Sequence, residues 1–472
     1  MKKSHLGIIL LLSLAVRVPL LVFQHDAYLT GGITTSLGLV ARNLLEGRGL
    51  SETTGPFSIL QLYDRQVGEK RLIDIQDFPD PPDQSTKPLI QRMPGYPFLL
   101  AALWKVTGEY RYLPVQILQV GLSALLPLLL AGTARRLFGS AAGLAAGVLA
   151  ALNVPEARLS LVPLYDWWLV PIAALYAWIL VRSAPRGYPA RDFLLLGMVG
   201  AAGVYLKPTV AALPLFVVAA LLPRLSRRQL VLRGALAFGI PLLALLPWAA
   251  RNHRVFHRPI LTTTFFWATI WEGYGEIPNR FGAVLDDRRT YMQVLSRDKL
   301  LEYGTPEYDD YFRAKVLSVM ASNPGFVAGL WAQRLIRGLL FPDNSWGIPW
   351  AEDLEASYIY FQSTHGGGPL AYLRARPGVA VVKVARKIWE PLLLVLALLT
   401  LGADRARFKE FLPLVAIPLA GLAATIPLHL ESRYLLPATQ IWILFAAAPV
   451  AAWLVPGSPG SGGRAEAPEA PP

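Results

Sequence analysis

Long apolar runs alternate along this chain with short clusters of arginine and lysine. Met1 to Phe23 places Lys2 and Lys3 ahead of an apolar stretch. No small-residue cleavage position precedes Gln24-His25-Asp26, so the stretch reads as an uncleaved first span. Arg17 within it is expected to face protein or to snorkel. Tyr96 to Thr107 is too short to cross a bilayer, which takes about 20 residues. The remaining runs are Tyr112–Ala134, Ala141–Val154, Trp167–Val181, Phe193–Leu206, Thr209–Leu222, Val231–Ala250, Gly378–Leu401, Phe411–Leu428 and Leu435–Val455. With the first, they predict about ten spans. The chain shows no parallel or inverted repeat.

Positive charge orients the spans. With Lys2 and Lys3 inside and Tyr96–Thr107 as a juxtamembrane helix, three basic clusters fall inside: Arg135-Arg136, Arg182 to Arg191, and Arg224 to Arg233. One outer face then collects His25–Tyr112, Pro155–Asp166, Lys207, the segment from Arg251 to Pro377, and His429 to Tyr434. Asn323–Phe341 could span, but Gln333, Arg334 and Arg337 give it a polar stripe, so it reads as an interfacial helix. The expected layout is one domain over 1–455, with outer loops at 24–111 and 251–377. A disordered Pro/Gly/Ala tail follows over 456–472.

Composition narrows the class. The chain has 472 residues, 54% hydrophobic and 16% charged, with a mean hydropathy of +0.40. Soluble domains carry about a quarter charged residues. This is the composition of an all-α polytopic membrane protein. The formal net charge of +13 fits cytoplasmic loops and lipid headgroups. No zinc knuckle or aromatic-interleaved basic arm accompanies it, so no nucleic-acid partner is expected. The absence of cysteine excludes disulfides, thiolate metal sites and cysteine nucleophiles.

Two acids sit where spans reach the outer face, Asp26 and Asp166, each flanked by aromatic residues. Either could be a general base. Lys87, Arg92, Lys207, Arg251, Arg254 and Arg433 lie on the same face, against the usual charge bias. Guanidinium and ammonium groups gathered there suit a lipid-linked phosphate. Lys207-Pro208 in addition marks a helix break. His253 and His257 are four apart, but Arg254, Arg258 and Pro259 beside them disfavour a helical zinc site, and no cofactor is indicated. Asp286-Asp287 and Asp309-Asp310 read as solvated helix faces. No phosphate-binding or dinucleotide-binding glycine loop is present.

Several segments together carry a resemblance. Arg92-Met93-Pro94-Gly95-Tyr96-Pro97-Phe98-Leu99-Leu100-Ala101 resembles the Arg-x-Pro-Gly-Tyr-Pro motif of bacterial membrane glycosyltransferases of family 39 and the ArnT-like group. Ala41-Arg42-Asn43-Leu44-Leu45-Glu46-Gly47-Arg48-Gly49, Ala134 to Gly139, Pro247 to Asn252 and Glu431-Ser432-Arg433-Tyr434-Leu435-Leu436-Pro437 add to it in the same order. The resemblance implies a GT-C fold, a bundle of about 10–12 transmembrane helices in the cytoplasmic membrane of a bacterium. It implies an active site on the outer face, a polyprenyl-phosphate-linked sugar donor, and a lipid, glycan or protein acceptor. Asp26 matches the first-loop catalytic acid, Asp166 the second acidic position, and Arg92 the basic residue ahead of the helix. Lys87, Lys207, Arg251, Glu431, Arg433 and Tyr434 are the other expected substrate-binding residues. One spacing departs from the family: Leu29 to Val40 intervene between Asp26 and Ala41-Arg42 without an acid. The base therefore stays open between Asp26 and Asp166. The stretch Glu52 to Ser85 reads as an insertion. Inverting transfer needs one positioned carboxylate, and cations can stabilise a departing phosphate. Competing expectations are a transporter or flippase of polyprenyl-linked sugars, and a glycan polymerase or ligase.

Overall fold

The computed structural model describes residues 2–26, 31–53, 69, 71–78, 86–296, 301–340 and 358–454. The expected tail and most of the stretch read as an insertion lie outside the described residues. The protein is an all-α polytopic membrane protein. Six helical segments are long and apolar enough to cross a membrane: Lys3–Gln24, Leu113–Phe138, Tyr165–Arg186, Arg227–Phe256, Arg405–Thr425 and Leu436–Leu454. Ser140–Ala151 and Pro208–Ala220 are shorter apolar helices. Ala190–Leu206 has 17 residues, and Pro377–Ala403 has 27 with Lys383, Lys387 and Glu390 among them. All ten runs read as spans are thus helical. Gly95–Thr107, at 13 residues, is short, as expected of a juxtamembrane element.

Close helix approach is built from small residues. A Cβ on Gly147 would lie 2.4 Å from Ile9 Cδ1, so Ser140–Ala151 rests directly on the first span. One core fills the bundle, and a second lies in the segment that follows the Ile240–Phe256 helix, around Trp271, Tyr308, Phe312 and Leu330. The one strand pair among the described residues is antiparallel, Ser51–Thr53 against Thr86–Pro88, with Glu52 opposite Lys87.

Arg17 faces protein. It is fully buried and pairs with Glu156 Oε2 at 2.6 Å, while its Nε donates to Ser123 Oγ at 2.6 Å. The polar stripe of Pro324–Leu340 also turns inward at Arg334. That guanidinium donates to the carbonyls of Gly273 and Ile426 at 2.6 Å and to Glu276 Oε2 at 3.1 Å. Asp309 departs from the solvated role read for it. It is buried, and its Oδ1 accepts from the N–H groups of Trp267 (2.8 Å) and Ala268 (3.1 Å), satisfying the start of the Phe266–Tyr274 helix.

Candidate active site

Three helix interruptions meet at one place. Ala190–Leu206 stops at Lys207 because the following proline disfavours helical torsions there. Lys207 is extended, at φ −151° and ψ 124°, and Pro208–Ala211 resumes as a 3-10 turn. A second 3-10 turn, Tyr165–Trp168, carries Asp166 into the Leu169–Ser183 helix. A third, Ser432–Tyr434, carries Arg433 and Tyr434 into Leu436–Leu454.

Asp166 is fully buried and shared by two cations. Lys207 Nζ lies 2.6 Å from its Oδ1, and Arg433 Nε 3.0 Å from its Oδ2. Arg433 also pairs with Glu431 Oε2 at 2.8 Å. Lys207 Nζ sits 3.3 Å from the Tyr434 ring centroid, a cation–π contact. His429 Nε2 is 2.9 Å from Glu431 Oε1, and burial lowers the His429 pKa below its ordinary value. A buried charge is tolerated only when paired, so these contacts hold Asp166, Lys207, Arg433, Glu431 and His429 together in one small volume.

Arg92 extends the cluster. Its Nη1 donates to the Tyr165 hydroxyl at 3.3 Å, one residue from Asp166. The Pro-Gly-Tyr-Pro run explains how it gets there. A Cβ on Gly95 would lie 2.5 Å from the carbonyl oxygen of Tyr205, so only glycine lets the start of Gly95–Thr107 press against the chain beside Lys207. Tyr96 then anchors the helix through its hydroxyl to Gln119 Oε1 at 3.0 Å.

The sites expected from sequence therefore divide. Asp166, Lys207, Glu431, Arg433 and Tyr434 come together, with Arg92 joined through Tyr165. Lys87 lies instead in the strand pair; its Nζ donates to the Tyr303 carbonyl at 2.8 Å and lies 4.0 Å from both Glu52 and Glu302. Arg251 is a strut: its guanidinium donates to the carbonyls of Leu89 and Leu50, tying the strand pair to the Ile240–Phe256 helix. Asp26 is exposed, its carbonyl accepting from Leu72 N–H, and its carboxylate has no polar partner among the described residues.

An apolar cavity of about 70 Å³ adjoins the cluster. Leu169, Ile172, Val210, Leu213, Ile417 and Leu422 are among its walls, and Lys207 and Tyr434 also line it.

Some polar residues here escaped the sequence reading. Glu52 is buried, with Oε2 accepting from Gln91 Nε2 at 2.7 Å; burial raises its pKa against the opposing pull of Lys87. Glu272 is buried on Phe266–Tyr274, and its pKa is pushed well above the carboxylate range by burial first and by Asp287 next. Neither stood in a motif. The one available signal was the placement of Glu52 just after the Ala41–Gly49 segment.

Residues 87–250 match the family model of dolichyl-phosphate-mannose-protein mannosyltransferases. That segment contains Lys87, Arg92, Asp166 and Lys207, together with the Arg-x-Pro-Gly-Tyr-Pro motif. No curated protein matches the chain. Among solved structures, the chain is similar to the apo oligosaccharyltransferase of Archaeoglobus fulgidus at 15% identity, covering 95% of this chain and 50% of that one, with a TM-score of 0.48. It is also similar to AglB from the same organism, in complex with an inhibitory peptide and a dolichol-phosphate, at 14% identity, 95% and 50% coverage and a TM-score of 0.47. The chain spans about half the length of these solved relatives.

Proposed function

We propose that this protein is a GT-C glycosyltransferase, transferring a sugar from a polyprenyl-phosphate-linked donor to a hydroxyl on a lipid, glycan or protein. The reaction belongs to the outer face of a bacterial cytoplasmic membrane, and residues 1–455 form the transferase domain. The observation that carries this reading is the junction of an apolar cavity with buried cations: Lys207 and Tyr434 line the cavity, and Arg433 stands across Asp166 from Lys207. A lipid phosphate has that dual character, an apolar chain ending in an anion. The match of residues 87–250 to the mannosyltransferase family supports the same class.

In this mechanism Lys207, Arg433 and Arg92 take the donor phosphate, and the first carbons of its tail enter the cavity. Cations placed where charge develops on the departing phosphate lower the barrier. Asp166 is a positioning residue: both of its oxygens are engaged by cations, so it holds Lys207 and Arg433 side by side against their mutual repulsion. Asp26, exposed and without an ionic partner among the described residues, receives the acceptor's proton. The hydroxyl oxygen attacks the anomeric carbon, the carbon–oxygen bond to phosphate breaks, and configuration inverts.

The test is transfer of labelled sugar from a polyprenyl-phosphate sugar by the purified protein in proteoliposomes, with envelope lipids, glycans and proteins offered as acceptors. Label appearing in one acceptor, and lost in Lys207→Ala, is the expected result. Movement of intact donor across the bilayer without transfer would instead make the protein a flippase.

A further inference from the structure

Beyond the Asp166 clamp, the two outer loops meet along a seam that contains polar atoms without partners. Lys87 Nζ reaches the Tyr303 carbonyl across it at 2.8 Å, and a Cβ on Gly304 would lie 2.7 Å from Gln91 Oε1. Arg92 is its centre. On one side this guanidinium touches Tyr165 of the clamp; on the other it acts electrostatically on Glu52, Tyr303 and Asp287. Asp287 acts electrostatically on Glu272, and the Tyr303 hydroxyl donates to Asp287 Oδ2 at 3.3 Å. Tyr308 lies beside Tyr303, with ring centroids 5.4 Å apart, and its hydroxyl feels both Glu272 and Asp287.

Four buried atoms here have no hydrogen-bond partner among the described residues: Glu52 Oε1, Glu272 Oε1, Arg92 Nε and the Tyr308 hydroxyl. Glu52 is 4% exposed, Glu272 3% and Tyr308 0%. Buried polar groups are normally satisfied, and each exception asks for an occupant. The seam opens to water at Asp287, which is exposed, and at Arg92, which is half-buried.

We propose that this seam binds a sugar ring by its hydroxyls, with Glu52, Glu272 and Asp287 as carboxyl partners and Arg92 and Tyr308 as donors. This rests on the sugar-transfer reading above. A hydroxyl both donates and accepts, so one ring satisfies carboxylate oxygens, a guanidinium and a phenol together. A second phosphate would face three acids. A metal ion would face Arg92, and no group of three metal-ligating side chains exists among the described residues. The ring is that of the donor or that of a glycan acceptor; the recognition chemistry is the same.

Binding to the full chain in nanodiscs separates the two. The probes are polyprenyl phosphate, polyprenyl-phosphate-mannose, and methyl mannoside added with polyprenyl phosphate present. The variants are Glu272→Gln and Tyr308→Phe. The second removes a hydroxyl that bonds to none of the described residues, so the fold keeps its contacts and a loss reports a ligand. For a donor ring, Glu272→Gln weakens polyprenyl-phosphate-mannose about tenfold and Tyr308→Phe about threefold, while plain polyprenyl phosphate binds as in wild type. For an acceptor ring, both lipids bind as in wild type and only the methyl mannoside weakens. Wild-type affinity of Tyr308→Phe for every probe, or no sugar-dependent binding by the wild type, overturns the seam. Failure of wild-type protein to bind polyprenyl phosphate overturns the transferase reading and leaves the methyl mannoside result to judge the seam.

Discussion

At the scale of single residues, Asp166 makes a counterintuitive prediction. An acid close to the proposed phosphate site should repel the phosphate, so its removal would tighten binding on charge alone. The geometry says otherwise, because Asp166 is what holds Lys207 at 2.6 Å and Arg433 at 3.0 Å from one carboxylate. Asp166→Asn is therefore expected to weaken polyprenyl phosphate binding, by about tenfold or more, since losing a buried ionic partner commonly costs 2–5 kcal/mol. Tighter binding by this variant would show that Asp166 only repels. Asp309 carries the second prediction. Burial raises its pKa from 3.8 to about 6, against the two backbone N–H groups it caps. A raised acid binds its proton more tightly folded than unfolded. Its stabilising contribution is thus complete below pH 4 and disappears as pH rises through about 6. Thermal unfolding of wild type between pH 4 and 8 should show this loss, and Asp309→Asn should flatten it. An unchanged slope in the variant would place the titration elsewhere.

At the scale of elements, the turn that presents Asp166 is held from behind. Trp167 Nε1 donates to Glu156 Oε1 at 2.8 Å, and Ser123 and Arg17 bond the same carboxylate. Gln119 adds bonds to the carbonyls of Ser160 and Val162 at 3.0 and 2.8 Å. Glu156→Gln leaves Arg17 buried without its counter-ion and should cost about 3–5 kcal/mol of stability, whereas Trp167→Phe removes one hydrogen bond and should cost about 1 kcal/mol. Thermal unfolding in detergent checks both, and equal costs would mean that Arg17 finds another partner. These contacts also explain what was legible in the sequence. Lys207 could be singled out because Pro208 beside it dictates the break. Gly95 belonged to a short contiguous motif whose tight packing needs no side chain. Arg17 declared a partner without naming it, since Glu156 is 139 positions away. Glu52 and Glu272 were hidden for the same reason. Their significance arises from Arg92 and from contacts such as Lys87 to Tyr303, 216 positions apart, and no local pattern encodes them.

At the scale of the whole molecule, polar contacts gather at two separate ends of the helices. One end joins Arg92, Tyr165, Asp166, Lys207 and Arg433. The other joins Arg186 to Asp192, Arg233 to the Tyr188 carbonyl, and Arg407 to the Leu137 carbonyl. The Leu169–Ser183 helix runs from the first group to the second, 15 residues and roughly 22 Å at 1.5 Å per residue. The second end is where Arg182, Arg186, Arg191, Arg224, Arg227 and Arg228 accumulate, and from the positive-inside bias we propose that it is the cytoplasmic end. Reporter fusions at Arg186 and Arg227 are therefore expected to read cytoplasm, and a fusion at Thr305 to read the outer side. If all three reported reversed, the bundle would stand as drawn but the Asp166 clamp would face the cytoplasm, where an outer-face acceptor could not reach it. If Arg227 alone read outside, the helices on either side of Lys207-Pro208 could not be arranged as they are here. Lys207 would then part from Asp166, and the site itself would be lost.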